Sequence, residues 1–307
     1  MKQNRIFSTI LIVILLNVLK LNAQLVEYNH PELDWYTIDV DHFQVHYHQG
    51  AERIARLVAK IAEDIYMPVT SLYQYKPDGK IHFIIRDHDD YSNGAAFYYD
   101  NKVEIWASPM DFILRGTHNW LRNVVTHEFV HIISLGAARK MSRKVPAIYL
   151  QYMGYEPEKN PYVLYGFPNR IVSYPIALTI IPNWLAEGVA QYQLPPLNYD
   201  NWDTHRDMIL RTAVLENKML TFKEMGVFGK NSLGNEKLYN HGVALVRYIV
   251  NQHGKAALRD IFQEMNKPWR VTINGALKKV IGLNEKELYE NWKKYLEEMY
   301  QFRVQNI

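Results

Sequence analysis

The chain has 307 residues, no cysteine and a formal net charge of +3. The missing cysteines exclude disulfides and a lipid-modified cysteine. The small, interspersed charge offers no basic face of the kind nucleic acid needs, and no nucleic-acid motif appears. Twenty-two tyrosines are an unusual load; tyrosine suits places where one end is apolar and the other wet, in substrate grooves as on ordinary surfaces.

Met1-Lys2-Gln3-Asn4-Arg5 precedes a mostly apolar run from Ile6 to Leu19, and Leu21-Asn22-Ala23-Gln24 puts a small residue at a cleavage position. This is the build of a secretory signal peptide over 1–23, and its apolar run falls short of the roughly 20 residues a spanning helix needs. The expectation is an exported protein, in the periplasm, the cell envelope or outside the cell. Residues 24–307 suffice for one sizeable domain or two small lobes around a cleft.

Phe43, Val45 and Tyr47 alternate with His42, Gln44 and His46, which predicts a half-buried strand. Ile54, Leu57, Val58, Ile61 and Ile65 then recur at helical spacing between Ala51 and Leu72. Further strands are predicted over Lys80–Arg86 and Lys102–Ala107, with turn-rich sequence from Asp89 to Gly94 between them. The N-terminal lobe, about 24–118, is therefore a small sheet with a helix packed on it. Its histidines, His42, His46, His48, His82 and His88, form no metal constellation and receive no role. A helix over about 119–136 follows, with Gly136 at its stop. After Pro195 the pattern is helical, including Tyr239–His253 closed by Gly254, Ala256–Met265, and Asn284 to about Phe302 opening on a cap pair of Asn284 and Glu287. Strands followed by helices predict an α+β fold, with a helical lobe over about 182–307 and a cleft where the halves meet.

The helix over 119–136 carries His127-Glu128-Phe129-Val130-His131, the pattern H-E-x-x-H. Two histidines four apart project from one helical face and can hold one metal ion. Glu128 lies one position past the first of them, where its carboxylate can take the proton of a water on that metal. Catalytic zinc generally takes three protein ligands and leaves a fourth position open. Pro182-Asn183-Trp184-Leu185-Ala186-Glu187-Gly188-Val189-Ala190 offers the third: a proline at a helix start, an apolar pair, and an acid followed by small residues that permit close helix approach.

With these blocks the chain resembles the gluzincin metallopeptidases of the peptidase MA clan, which holds thermolysin and the aminopeptidase-N family and in which H-E-x-x-H is followed by W-L-x-E-G-x-A. The resemblance implies a zincin-like fold, Zn²⁺ held by His127, His131 and Glu187, and Glu128 as general base. Leu238-Tyr239-Asn240-His241-Gly242 is similar to the Y-x-x-G helix of the aminopeptidase-N-like enzymes, which implies Tyr239 as oxyanion donor. Two departures stand out. Fifty-five residues separate His131 from Glu187, a far longer gap than in aminopeptidase-N-like enzymes. Gly94-Ala95-Ala96-Phe97-Tyr98, where that family's edge strand would lie, also lacks the glutamate that grips a free amino terminus. The implied activity is therefore that of an exported endopeptidase on peptide or protein substrates, with an edge strand near Val103–Ala107 pairing with the extended peptide. Such domains also occur in longer secreted proteins carrying β-propellers.

The insertion over about 137–181 carries Arg139, Lys140, Arg143 and Lys144, then Tyr149, Tyr152, Tyr155, Tyr162 and Tyr165, then an apolar stretch from Ile171 to Ile181. On one reading it is a lid or a peripheral membrane or envelope contact; on the other it is a packed elaboration of the helical lobe. Two other functions stay open: a non-catalytic cell-envelope scaffold retaining the zinc fold, and a metal-dependent hydrolase of a non-peptide bond.

Overall fold

The apolar alternation of the first half builds one sheet. The computed structural model describes residues 30, 32–88, 92–109, 114–116, 118–144, 148–154, 170–197, 202, 204–229 and 232–305, without the side chains of 151–154, 170–175 and 232. Residues 1–23, expected to be a signal peptide, and Tyr155, Tyr162 and Tyr165 of the insertion lie outside these residues. Strands β1 (Trp35–Asp39), β2 (Phe43–His48), β3 (Ile81–Arg86), β4 (Gly94–Phe97) and β5 (Lys102–Trp106) form a mixed sheet in the order β1-β2-β3-β5-β4. β2, β3 and β5 run parallel, and β1 and β4 pair antiparallel to their neighbours. In register, Phe43 faces Ile81, Val45 faces Phe83, and Phe83 faces Val103, so alternate residues share one face. These side chains, with Ile85 and Ile105, are fully buried.

Helix α1 (Glu52–Tyr73) and helix α2 (Trp120–Ala138) close over that face. Phe129 projects from α2 into the sheet core, its ring 5.5 Å from Phe43 and 6.0 Å from Tyr66. The Asn119 side chain caps α2 by accepting from the Arg122 N–H at 3.1 Å. Gly136 does not stop this helix, which runs on to Ala138. A Cβ on Gly136 would lie 2.6 Å from a Tyr75 ring carbon, so the glycine serves a close approach rather than a terminus.

Beyond α2 come a hairpin of β6 (Tyr149–Gly154) and β7 (Arg170–Pro175), then α3 (Asn183–Tyr192), α4 (Met208–Leu215), α5 (Ser232–His253), α6 (Ala256–Met265), α7 (Ile273–Ile281) and α8 (Glu285–Gln305). The fold is thus α+β, a small N-terminal mixed sheet followed by a mainly helical C-terminal region, as the pattern of elements predicts. Trp35–Ile307 form one compact unit. The predicted cap at Asn284 is a reciprocal box: Glu287 N–H donates to Asn284 Oδ1 at 3.0 Å, and Asn284 N–H to Glu287 Oε2 at 2.8 Å. α5 begins two turns ahead of its predicted start at Tyr239.

Three of the insertion's basic residues are engaged within the fold. Lys140 donates to the carbonyls of Leu178 and Arg270, Arg143 pairs with Asp78, and the Arg139 guanidinium lies 5.6 Å from the Tyr99 ring centroid. They tie the base of the hairpin to its surroundings. No helix among the described residues is long and apolar enough to cross a membrane.

Candidate metal centre

α2 is buried on nearly every face, yet it carries a histidine pair and a glutamate in its middle. The pair faces α3, whose Trp184 and Leu185 are fully buried and press the helix inwards, so that Glu187 comes to the same point. His127 Nε2 lies 2.9 Å from Glu187 Oε2, His131 Nε2 lies 3.4 Å from that oxygen, and the two Nε2 atoms are 3.1 Å apart. Two imidazole lone pairs at that separation repel unless a proton or a cation sits between them. Four-coordinate zinc, with bonds of about 2.0–2.1 Å, spaces its ligand atoms by about 3.3 Å. The observed triangle therefore fits one such ion, and among the described residues no other cluster of three histidine or acidic groups suits a metal.

His131 Nδ1 is buried with no hydrogen-bond partner among the described residues, whereas metal-bound histidines usually donate from that nitrogen. Charge balance within the triangle is strong. Burial alone would raise Glu187, but His131 and His127 outweigh it and hold the carboxyl well below its usual range. Burial likewise opposes a charge on His131, yet the Glu187 carboxylate pushes it up to about 9.

Glu128 lines a cleft beside this triangle, together with His127, and is 7% exposed. Burial raises its pKa, with Glu187 adding and the two histidines opposing, a setting that gives a carboxylate the basicity of a proton acceptor. β4 runs directly against it: a Cβ on Gly94 would lie 2.6 Å from Glu128 Oε1 and 2.5 Å from Val124 Cγ2. Only hydrogen fits there.

Tyr239 enters the same cleft from α5, its ring centroid 6.0 Å from that of His127. Burial, with Glu187 adding, raises its hydroxyl pKa and keeps the proton in place. Arg115 lies over the Tyr239 ring at 5.2 Å and is held by Glu236 through contacts of 2.8 and 2.9 Å. α3 and α5 meet at Gly188 and Gly242, where a Cβ on either would strike the other helix's backbone at 2.6 Å.

The structure thus brings His127, His131 and Glu187 together and places Glu128 and Tyr239 in the adjoining cleft. The edge expected near Val103–Ala107 is corrected: β5 is paired on both sides, with β3 and β4, so among the described residues the edge on that side of the sheet belongs to β4. Sequence reading did not find Asn93, Arg115, His118, Asn123, Gln191 and Arg206, which also line the cleft. Of these, Asn123 and Gln191 had a local signal: Asn123 stands one helical turn ahead of His127, and Gln191 one turn past Glu187, each on the ligand's face. The histidines left without a role stand elsewhere; His46 and His82 pair with each other at 3.0 Å across β2 and β3. The chain matches no protein-family model and no curated protein, so its likeness to a metallopeptidase rests on these residue blocks and the site they build.

Proposed function

We propose that the chain is an exported zinc-dependent peptidase that cleaves within peptide chains. The convergence of two imidazoles and a carboxylate from α2 and α3, beside the buried base Glu128, carries this reading. His127, His131 and Glu187 would hold the ion. When bound, zinc supplies Lewis-acid chemistry, acidifying a water towards a pKa of about 7 and polarising the scissile carbonyl. Glu128 accepts the proton of the attacking water on its carboxylate and passes it to the departing amine nitrogen; its raised pKa suits both transfers. Tyr239 donates its hydroxyl hydrogen to the oxyanion.

The edge of β4 favours a peptide over another hydrolysable group. Trp106 N–H donates to Asn93, so by antiparallel alternation the amides of Gly94 and Ala96 face the free edge, where an extended chain can pair. The strand's Gly-Ala-Ala-Phe sequence has no carboxylate to hold a free amino terminus, which favours internal cleavage. A non-catalytic scaffold would have no chemical use for the buried Glu128. The test is zinc content by mass spectrometry with chelator-sensitive cleavage of a mixed peptide library. Glu128→Gln should keep one zinc and lose about 10³-fold in cleavage; a chain without zinc, or full activity in the variant, overturns the reading.

A further inference from the structure

The start of the β6–β7 hairpin turns one face to the protein and the other to solvent. Tyr149 leans on the body of the fold: its ring lies 6.2 Å from that of Tyr99, and its hydroxyl donates to the Arg143 carbonyl at 3.4 Å. By strand alternation its neighbours Ile148 and Leu150 point outwards, and both are exposed. The chain leaving β7 extends this surface. Ile176 N–H donates to the Ile148 carbonyl at 2.8 Å, and Ile180 N–H to the Val271 carbonyl at 2.9 Å. Lys140 Nζ donates to the carbonyls of Leu178 and Arg270 and so holds this stretch against the loop between α6 and α7. Leu178 and Ile180 there are more than half exposed, and Trp269 is 70% exposed. Large apolar side chains gathered on a surface mark a contact site.

The chemistry of the patch suits a lipid bilayer. The N–H groups of Ile176 and Ile180 are already bonded within the fold, so their residues can leave water without baring a main-chain donor. The surround is basic. Lys140 bonds two carbonyls and the Thr179 hydroxyl rather than a carboxylate, and Lys144 is exposed at the foot of the hairpin. On the far side the single carboxylate of Glu264 is shared by Lys267 and Arg270. Aliphatic side chains and a tryptophan bordered by cations match acyl chains beneath anionic headgroups.

We propose that this patch docks the protein on an anionic phospholipid surface, with Leu150, Leu178, Ile180 and Trp269 entering the acyl boundary. None of these side chains lines the cleft of the metal centre, so the proposal stands apart from the peptidase reading. The chain has no cysteine, so Leu178→Cys gives a single site for an environment-sensitive nitrobenzoxadiazole label in the full-length protein. Lys294→Cys, whose position on α8 is 78% exposed, is the control. With phosphatidylglycerol vesicles the emission at 178 should rise and shift to the blue, while that at 294 stays unchanged. Pure phosphatidylcholine should need about 25-fold more lipid for the same change, about fivefold for each of Lys140 and Lys144. Adding Leu150→Glu and Ile180→Glu, both at exposed positions, should abolish the response at 178. Equal responses at 178 and 294, no response to vesicles, equal response to the two lipids, or a response surviving the paired glutamates overturns the proposal. So does a blue shift that grows with protein concentration in the absence of lipid, which would assign the patch to a second copy of the chain.

Discussion

Replacing Gly242 by alanine tests whether the α3–α5 crossing sets the geometry of the centre. The new Cβ would lie 2.6 Å from the Trp184 carbonyl oxygen and 3.4 Å from Gly188 N. A carbon and an oxygen in ordinary contact stand about 3.3 Å apart, so the helices must separate by about 0.7 Å. The opposing atoms are backbone, so no side-chain rotation relieves the clash. Overpacking of this kind costs about 1–3 kcal/mol, and the rigid partner places this site near the upper end. For a chain of this size about 2–3 kcal/mol lowers the unfolding temperature by about 4–12 °C. The site should suffer as well, because Glu187 adjoins Gly188 on α3 and Tyr239 precedes Gly242 by one turn on α5. Zinc affinity should fall about 10–100-fold, as when a supporting contact of a metal ligand is lost. Urea unfolding with zinc titration measures both effects. Gly226→Ala is the control, since a Cβ there has nothing within 4 Å. If Gly242→Ala unfolds at the same urea concentration as Gly226→Ala, the crossing is not the constraint it is argued to be.

Three other outcomes follow from the same structure. Gly94→Val would drive a side chain into Val124 and Glu128, so kcat should fall about 100-fold at unchanged zinc stoichiometry; a wild-type kcat would show that β4 does not set the position of the base. Zinc uptake at pH 7 should expel about one proton, because Glu187, against the pull of burial, pushes His131 up to about 9. Calorimetry in two buffers of different ionisation enthalpy reads that proton, and an identical heat in both would remove it. Away from the centre, buried His241 accepts from the Leu220 N–H and donates to the Lys237 carbonyl, and burial pushes its pKa from 6.5 down to about 4. The unfolded chain takes the proton first as pH falls, so this group contributes about 3 kcal/mol above pH 6.5 that is lost on descent to about 4. Urea unfolding from pH 7 to 4 should give a flatter profile for His241→Leu, and an equally steep one would refute the assignment.

The elements legible in the sequence are those whose period matches one buried face. Phe43, Val45 and the stripe from Ile54 to Ile65 became β2 and α1 on that account. β1 carries no such signal: Trp35 and Tyr36 are 46% and 50% exposed, so neither face of this edge strand is marked by burial. Among the described residues the β6–β7 hairpin pairs only with itself, without a further strand to impose an alternation. Gly136 was misread because a glycine late in a helix signals a stop equally with close packing, and only the ring of Tyr75 decides which.

For the site, spacing along a single helix was legible and juxtaposition across the fold was not. His127 and His131 share a face by period alone, and the small residues after Glu187 hinted at the tight crossing that brings it in. Arg115, His118 and Arg206 reach the cleft from stretches without regular periodicity, so nothing in their neighbours announces them. The misplaced edge strand has a physical cause as well. Alternation marks a strand without naming its neighbours, and Val103 and Ile105 are buried on a strand paired on both sides. β4 reads as Gly-Ala-Ala-Phe, too small and even to look like a strand. Yet a side chain at Gly94 would occupy the space of Glu128, so the strand nearest the proposed base must forgo the bulk that would have marked it.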